Sequence, residues 1–497
     1  MLIGLFLVVL PVMSAAAARP PAVKQVASGQ VPNPVAESEA AAGPFIEAPV
    51  PAHAFKGDVR TLPHIRKVVG PRVPYQEGQD IHQRDPDQAD PNRIGASADP
   101  DQIDSGQDPD QLEPDQASAA GASRSKSGPV RDSVLQAAAA GSTMPALGLN
   151  FKGLSKPSWG VAIPPDPNGD VGPNHYIQTV NTSIGIFDKS GNQLAAFNFN
   201  TFFSSGGGTG TACDVNNNKG SDPVVVYDAL ADRWLITNHT AATFTSTWYE
   251  CIAISQSGDP VLGGWWFYAM PVDPTLINDA TKIGVWPDAY YMSANMFRPS
   301  PYAFDHVRVW ALDRSALLTG GALQSVRFDL PCAFQCKQYL LPSDLRGTPP
   351  PPGTPNYFAN IFAPTQFNIW KFHVDWANLA ASTFTGPTTL AVASFANQTS
   401  GIPELNGAGL YHSGDHLMPQ LQYRYINGVE SLWANHTVAS GTVTGIRWYE
   451  IRSPGASPSV YQQGTFQPDS NYRWIGSLAA DGSGNMAVGY SISSPSM

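Results

Sequence analysis

The chain has 497 residues, of which 10% are aromatic and only 14% charged, and its formal net charge is −11. Eleven acidic residues and two arginines fall within residues 80–116, so that run carries −9 and the rest of the chain −2. A near-neutral remainder excludes the basic footprint of a nucleic-acid-binding domain, and low charge with many aromatics, Thr, Ser and Gly fits a β-rich exported domain better than a helical cytosolic one.

The apolar run Leu2–Met13, followed by Ser14–Ala18 ahead of Arg19-Pro20, predicts a signal peptide over 1–18 and a secreted or periplasmic protein. An uncleaved anchor is the alternative, but the run is short for a span. No later segment is apolar enough to cross a membrane, so no transmembrane span is expected after cleavage. Residues 19–143 are rich in Ala, Pro, Asp and Gln, with Asp-Pro-Asp-Gln at 85–88, 99–102 and 108–111. Frequent Pro removes amide donors, and few apolar groups offset the ordering entropy. A disordered acidic spacer or propeptide is expected there.

From 144 to 497 short strands alternate with Gly, Asn, Asp and Pro turns. A unit recurs with openings at Asn174, Asp222, Asp288, Asn356, Asp415 and Asn471, spaced by 48 to 68 residues. Tight-turn signals follow at Leu230–Trp234, Ile426-Asn427-Gly428-Val429 and Asp481–Gly484. Third strands recur at Ile184–Asp188, Val307–Asp313, Ile369–Asp375 and Ile446–Glu450. Six copies of about four strands predict an all-β, six-bladed β-propeller. A seven-bladed ring or a truncated last blade is the alternative, because the sixth copy ends after two strands. The segment near Leu147–Lys156 is a candidate to supply the missing ones.

Cysteines stand at 213, 251, 332 and 336. An even number in an exported chain points to disulfides. Three pairings are open, and nearest neighbours within one repeat favour Cys213–Cys251 and Cys332–Cys336.

In a propeller the ends of the innermost strands meet at the axis. The candidate ligand-binding residues are therefore Asn174, Asp288, Asn356, Arg424 and Arg473, on the premise that the openings ring one axial mouth. Two carboxylates can act there as acid and base, which makes Asp222, Asp288, Asp415 and Glu430 the catalytic candidates. Equally, all these groups can simply cap strand ends. Two loops place oxygen side chains at alternate positions, as calcium sites do: Asp166, Asn168 and Asp170 in one, Asp214, Asn216 and Asn218 in the other. A structural Ca²⁺ is the cofactor they suggest, and Asn and Asp of ordinary turns are the other reading. Trp248, Trp265-Trp266, Trp286, Trp448 and Trp474 can stack on sugars or fill the core, with Trp265 and Trp266 on opposite faces of any shared strand. Nothing in the sequence matches a Ser/His/Asp hydrolase elbow or a phosphate-cradling loop.

The segment Pro165–Tyr176, with Asp222–Trp234, Gly284–Tyr291, Trp370–Trp376 and Tyr461–Trp474, resembles a largely uncharacterised family of secreted bacterial β-propeller proteins, distantly sialidase-like in architecture. The resemblance covers about 150–497 and implies the fold but no activity. Sialidases carry Ser-x-Asp-x-Gly-x-x-Trp boxes. The nearest approach here is Asp481-Gly482-Ser483-Gly484, with Ala479 in the Ser position and the Gly one place late. The expectation is thus a secreted, monomeric propeller that binds an extracellular glycan or surface protein at its axial mouth. A glycoside hydrolase or lyase and a non-catalytic interaction scaffold are the alternatives.

Overall fold

The computed structural model describes residues 6–10, 41–62, 132–136, 148–155, 165–206, 210–214, 221–242, 246–300, 302–331, 338–398, 400–407 and 409–497. They form a β-propeller. Five blades have four antiparallel strands each, starting at Asn168, Ser221, Ile277, Leu341 and Leu421. A sixth is built from Tyr472–Ala480 and Met486–Ser493. The innermost strands are Asn168–Val171, Ser221–Asp228, Ile277–Val285, Leu341–Leu345, Leu421–Ile426 and Tyr472–Ala480. The fourth and fifth blades pair in parallel through theirs, Ser343 to Leu421 and Leu345 to Tyr423.

Alternating apolar residues give each blade two sticky faces, and the core lies between neighbouring blades. Trp234, Ile236 and Trp265 meet Ile184, Phe197 and Phe202 between the first two blades. Leu235 and Ile252 meet Tyr290 and Met292 between the second and third. Trp433 and Ile446 meet Leu478 and Val488 between the fifth and sixth. The predicted turns are where expected, and Asn427 and Gly428 take φ of 51° and 80° to close the fifth blade's first hairpin. The predicted third strands are third strands in the first, third, fourth and fifth blades.

Three expectations are corrected. First, the openings are not equivalent. Asn174, Asp288 and Asn356 introduce the second strands His175–Val180, Ala289–Pro299 and Asn356–Ala363, whereas Asp222 lies on an innermost strand. Asp415 precedes Leu421–Ile426, and Asn471 directly precedes Tyr472–Ala480. The polar-then-aromatic pattern marks the start of either strand, so alignment on it mixes the two.

Second, parts of the 19–143 segment are ordered. Ala42–Ile46 adds to the outer strand of the third blade, and His53–Phe55 adds to that of the second. Buried Val59 and Leu62 then pack between the first and second blades. Leu135–Gln136 adds to the fifth blade, where Asp132 pairs with the fully buried Arg447 at 2.8 Å. These short apolar pieces satisfy open sheet edges, which composition averaged over the segment hides. The acidic run 80–116 lies outside the described residues.

Third, the third strand of the sixth blade is Phe6–Leu10, from within the segment expected as a signal peptide. Residues 148–155 instead pack on the first blade, with Leu154 N donating to Gln178 and Phe151 against Phe187. Cys213 and Cys251 are joined as expected, and Cys332 and Cys336 lie outside the described residues.

Candidate functional site

Because strands alternate in direction, the propeller has two ends. The upper end gathers the starts of innermost strands and the finishes of second strands. The lower end gathers the reverse. Side chains reaching across to the next innermost strand fix this direction: Asn168 accepts from Val225 N, Asp170 from Tyr227 N and Asp344 from Val285 N.

The sequence-predicted residues are split between the ends. Asn174, Asp288, Asn356, Arg424 and Glu430 are at the lower end, and Asp222, Asp415 and Arg473 at the upper one. The axial ring expected from them is therefore not formed. Asn356 is fully buried and zips its own blade, bonding Ser343 N and O at 3.2 and 2.9 Å. Glu430 accepts from Tyr357 and Tyr423 hydroxyls at 3.2 and 2.8 Å. Arg424 donates to Arg346 O and Ala480 O. Arg473 is buried against Asp469 at 2.7 Å, beneath Phe466 and Tyr490, which is a capping role. Asp415 bonds His416, which stacks on Tyr339. The four catalytic candidates thus form no opposed pair: two are at each end, each tied to its own neighbours.

In the suggested calcium loops the described residues have partners of their own. Asp166 accepts from Asn181, Asn168 and Asp170 cap backbone of the next blade, and Asp170 pairs with Arg346 at 2.6 Å. Asp214 accepts from Gly210 N, while Asn216 and Asn218 lie outside the described residues. The tryptophans proposed for sugar stacking are core: Trp248, Trp265, Trp286, Trp448 and Trp474 are all buried. Trp266 faces away from Trp265, as expected for neighbours in a strand, and is half-buried.

At the lower end Asp288 is half-buried beside Tyr291 and His373, with the Tyr291 hydroxyl 3.4 Å from both carboxylate oxygens. Burial, only partly offset by these hydrogen bonds, pushes its carboxyl up to about 6. The folded state therefore holds this proton more tightly than the unfolded chain does. Its contribution to stability falls as pH rises from about 4 to about 6 and is flat above. Asp288→Asn should raise stability on the order of 2 kcal/mol at pH 7.5 and change little at pH 4. Urea melts at the two pH values check this, and equal shifts at both would contradict it.

The two halves of the propeller differ in kind. The lower half is aromatic: Trp286 lies edge-on to Tyr423 at 4.7 Å, with Tyr357 beside them. The upper half carries buried amides. Asn238, Asn295, Asn360 and Asn435 sit late on the second strands of four successive blades, each 3% exposed or less. Asn238 Oδ1, Asn295 Nδ2 and both amide atoms of Asn360 and Asn435 have no hydrogen-bond partner among the described residues. The sequence reading missed this set. The signal was there in the repeated tripeptide Asn-His-Thr at 238–240 and 435–437.

Between the second and third blades the upper end also gathers charge. Asp222 accepts from Ala280 N at 2.8 Å, and its carboxylate is 4.0 Å from His239 Nδ1. Asp279 hydrogen-bonds Asp222, and one side-chain ligand atom from each of Asp222, His239 and Asp279 falls within 4.8 Å of the others. Irregular pairing at Thr237/His239 and at Asp279/Lys282 turns these side chains inward. Burial works against the Asp222 charge, but His239 and Lys282 outweigh it and hold the carboxyl low, at about 2. Glu250 lies directly opposite His239 on the adjacent strand, and its burial pushes the carboxyl up to about 7.

Among the described residues no helix is long and apolar enough to cross a membrane. No protein-family model and no curated protein matches the sequence. Solved structures with similar folds include a Trypanosoma rangeli sialidase mutant displaying trans-sialidase activity, at 9% identity and a TM-score of 0.33, covering 66% of this chain and 53% of that one. A Penicillium chrysogenum α-L-arabinanase complexed with arabinobiose has 10% identity and a TM-score of 0.33, over 66% and 94% of the two chains. The catalytic domain of a Coprinopsis cinerea α-L-arabinofuranosidase has 9% identity and a TM-score of 0.25, over 66% and 90%. The chain thus spans about half the length of the sialidase it matches.

Proposed function

We propose that this protein is an exported β-propeller that binds a neutral, polyhydroxylated ligand, a glycan, at the upper end. One observation carries the reading: the blade-by-blade set of buried asparagines with unused hydrogen-bonding capacity. Buried polar groups are nearly always partnered, so a repeated exception favours a hydroxyl-bearing partner, water or ligand, at this end. An amide offers one acceptor and two donors, which suits hydroxyl groups. Hydrolysis is the less supported reading, because the carboxyls of Asp222 and Asp279 are in hydrogen-bond contact. Glycosidases hold theirs about 5 Å or more apart, with the sugar between them.

The test separates binding from stability. Replacing a buried, unpartnered amide by an apolar group of similar size is neutral or stabilising. Asn360→Leu and Asn435→Leu should therefore melt at or above the wild-type temperature. Both should weaken binding to the oligosaccharides that the wild type selects on a glycan array, by about tenfold or more each. A wild type that selects none, or leucine variants that bind equally well, would overturn the reading.

A further inference from the structure

Asp222, His239 and Asp279 stand on three strands of two blades and bring two carboxylate oxygens and one imidazole nitrogen within 4.8 Å of one another. The cluster does not stand alone. Glu250, fully buried on the neighbouring strand, faces the same side as His239. Its Oε2 accepts from Asn278 Nδ2 at 2.9 Å and Thr281 Oγ1 at 3.0 Å. Its Oε1 has no hydrogen-bond partner among the described residues, and neither has the fully buried Asn278 Oδ1. Two carboxyl groups and an imidazole therefore converge on one place, with a further buried carboxyl on an adjoining strand and a buried amide next to Asp279 in sequence. The nearby cation, Lys282, is turned to main chain: its Nζ donates to Ala280 O and Thr281 O at 3.0 and 3.4 Å.

We infer that Asp222, His239 and Asp279 form a divalent metal site, with the buried Glu250 beside it on the neighbouring strand. The ligand set decides the ion. Purely oxygen cages favour calcium and magnesium, whereas an imidazole with two carboxylates suits zinc or manganese. An Asp–His–Asp set is within the ligand range of zinc. The site joins innermost strands of two adjacent blades, so an ion there would also clamp them together. It stands apart from the test of the glycan reading, which uses Asn360 and Asn435 of the fourth and fifth blades. Either can fail without the other.

The experiment is a calorimetric titration of the EDTA-stripped full chain with zinc, manganese and calcium chlorides, with thermal melts alongside. The wild type should bind about one zinc or manganese ion and melt higher with it. Asp279→Asn, at a half-buried position, should lose binding by more than about tenfold without losing the wild-type circular dichroism. Native mass spectrometry of the as-purified chain gives a second readout that needs no variant to fold. No bound ion in either measurement overturns the inference. So does tighter binding of calcium than zinc, or undiminished binding by folded Asp279→Asn.

Discussion

Replacing Arg346 with methionine is expected to cost about 3–5 kcal/mol of unfolding free energy, measured by urea melts at pH 7. Arg346 follows the innermost strand of the fourth blade, and its guanidinium bonds Asp344 at 2.5 Å and Asp170 at 2.6 Å. Asp170 belongs to the first blade, so this one side chain ties blades on opposite sides of the axis. The Asp344 side chain is fully buried. Burial raises its carboxyl, and Arg346 is the main influence opposing that rise. Burial likewise disfavours the guanidinium charge, but Asp344 and Asp170 outweigh it and raise the group's affinity for its proton. Removing the arginine leaves two carboxylates side by side with their cation gone, and most of the cost comes from that. The double variant Arg346→Met with Asp344→Asn should recover part of the loss. A single-variant loss below about 1 kcal/mol would mean the triad behaves as an exposed surface pair.

The second large effect is expected from the disulfide. Cys213 and Cys251 are 38 residues apart, and both are buried. Cys251 is on the third strand of the second blade, and Cys213 in the connection that enters it. In the chain-entropy account, opening a loop of this length costs about 4 kcal/mol. Cys213→Ser with Cys251→Ser should therefore lower the midpoint of unfolding markedly, even under non-reducing conditions. Non-reduced peptide mapping should find the two cysteines in one linked fragment. A melting curve unchanged by the double substitution would show that native packing alone holds this connection.

The propeller was legible because its signals are local. Period-two alternation, Asn-Gly and Asp-Gly turns and the third strands are each written within about ten residues. The equivalence of the six openings was not legible, since a polar residue ahead of an apolar or aromatic run stands in a first strand at Asp222 and before a second strand at Asp288. That one ambiguity sends half of the candidate residues to the wrong end of the molecule. Asp222 was picked out, but its neighbours His239 and Asp279 were not, since no spacing rule links residues on three separate strands. The edge strands 42–46, 53–55 and 135–136 escaped for a different reason. They are two to five residues long inside a Pro- and Ala-rich stretch, and they become strands only because a blade edge is waiting for them.

Those edge strands bear on how the chain reaches this fold. Glu47 is paired with Arg327 across 280 residues, and Asp132 with Arg447 across 315. The blades themselves are made of near neighbours and carry low contact order, whereas these docking contacts are among the most remote in sequence. Whatever is synthesised first therefore has nothing to dock on until the third and fifth blades exist. Docking of these short strands is therefore expected to follow formation of the blade edges they pair with. The outer strands of three blades thus serve as the template that fastens 42–46, 53–55 and 135–136.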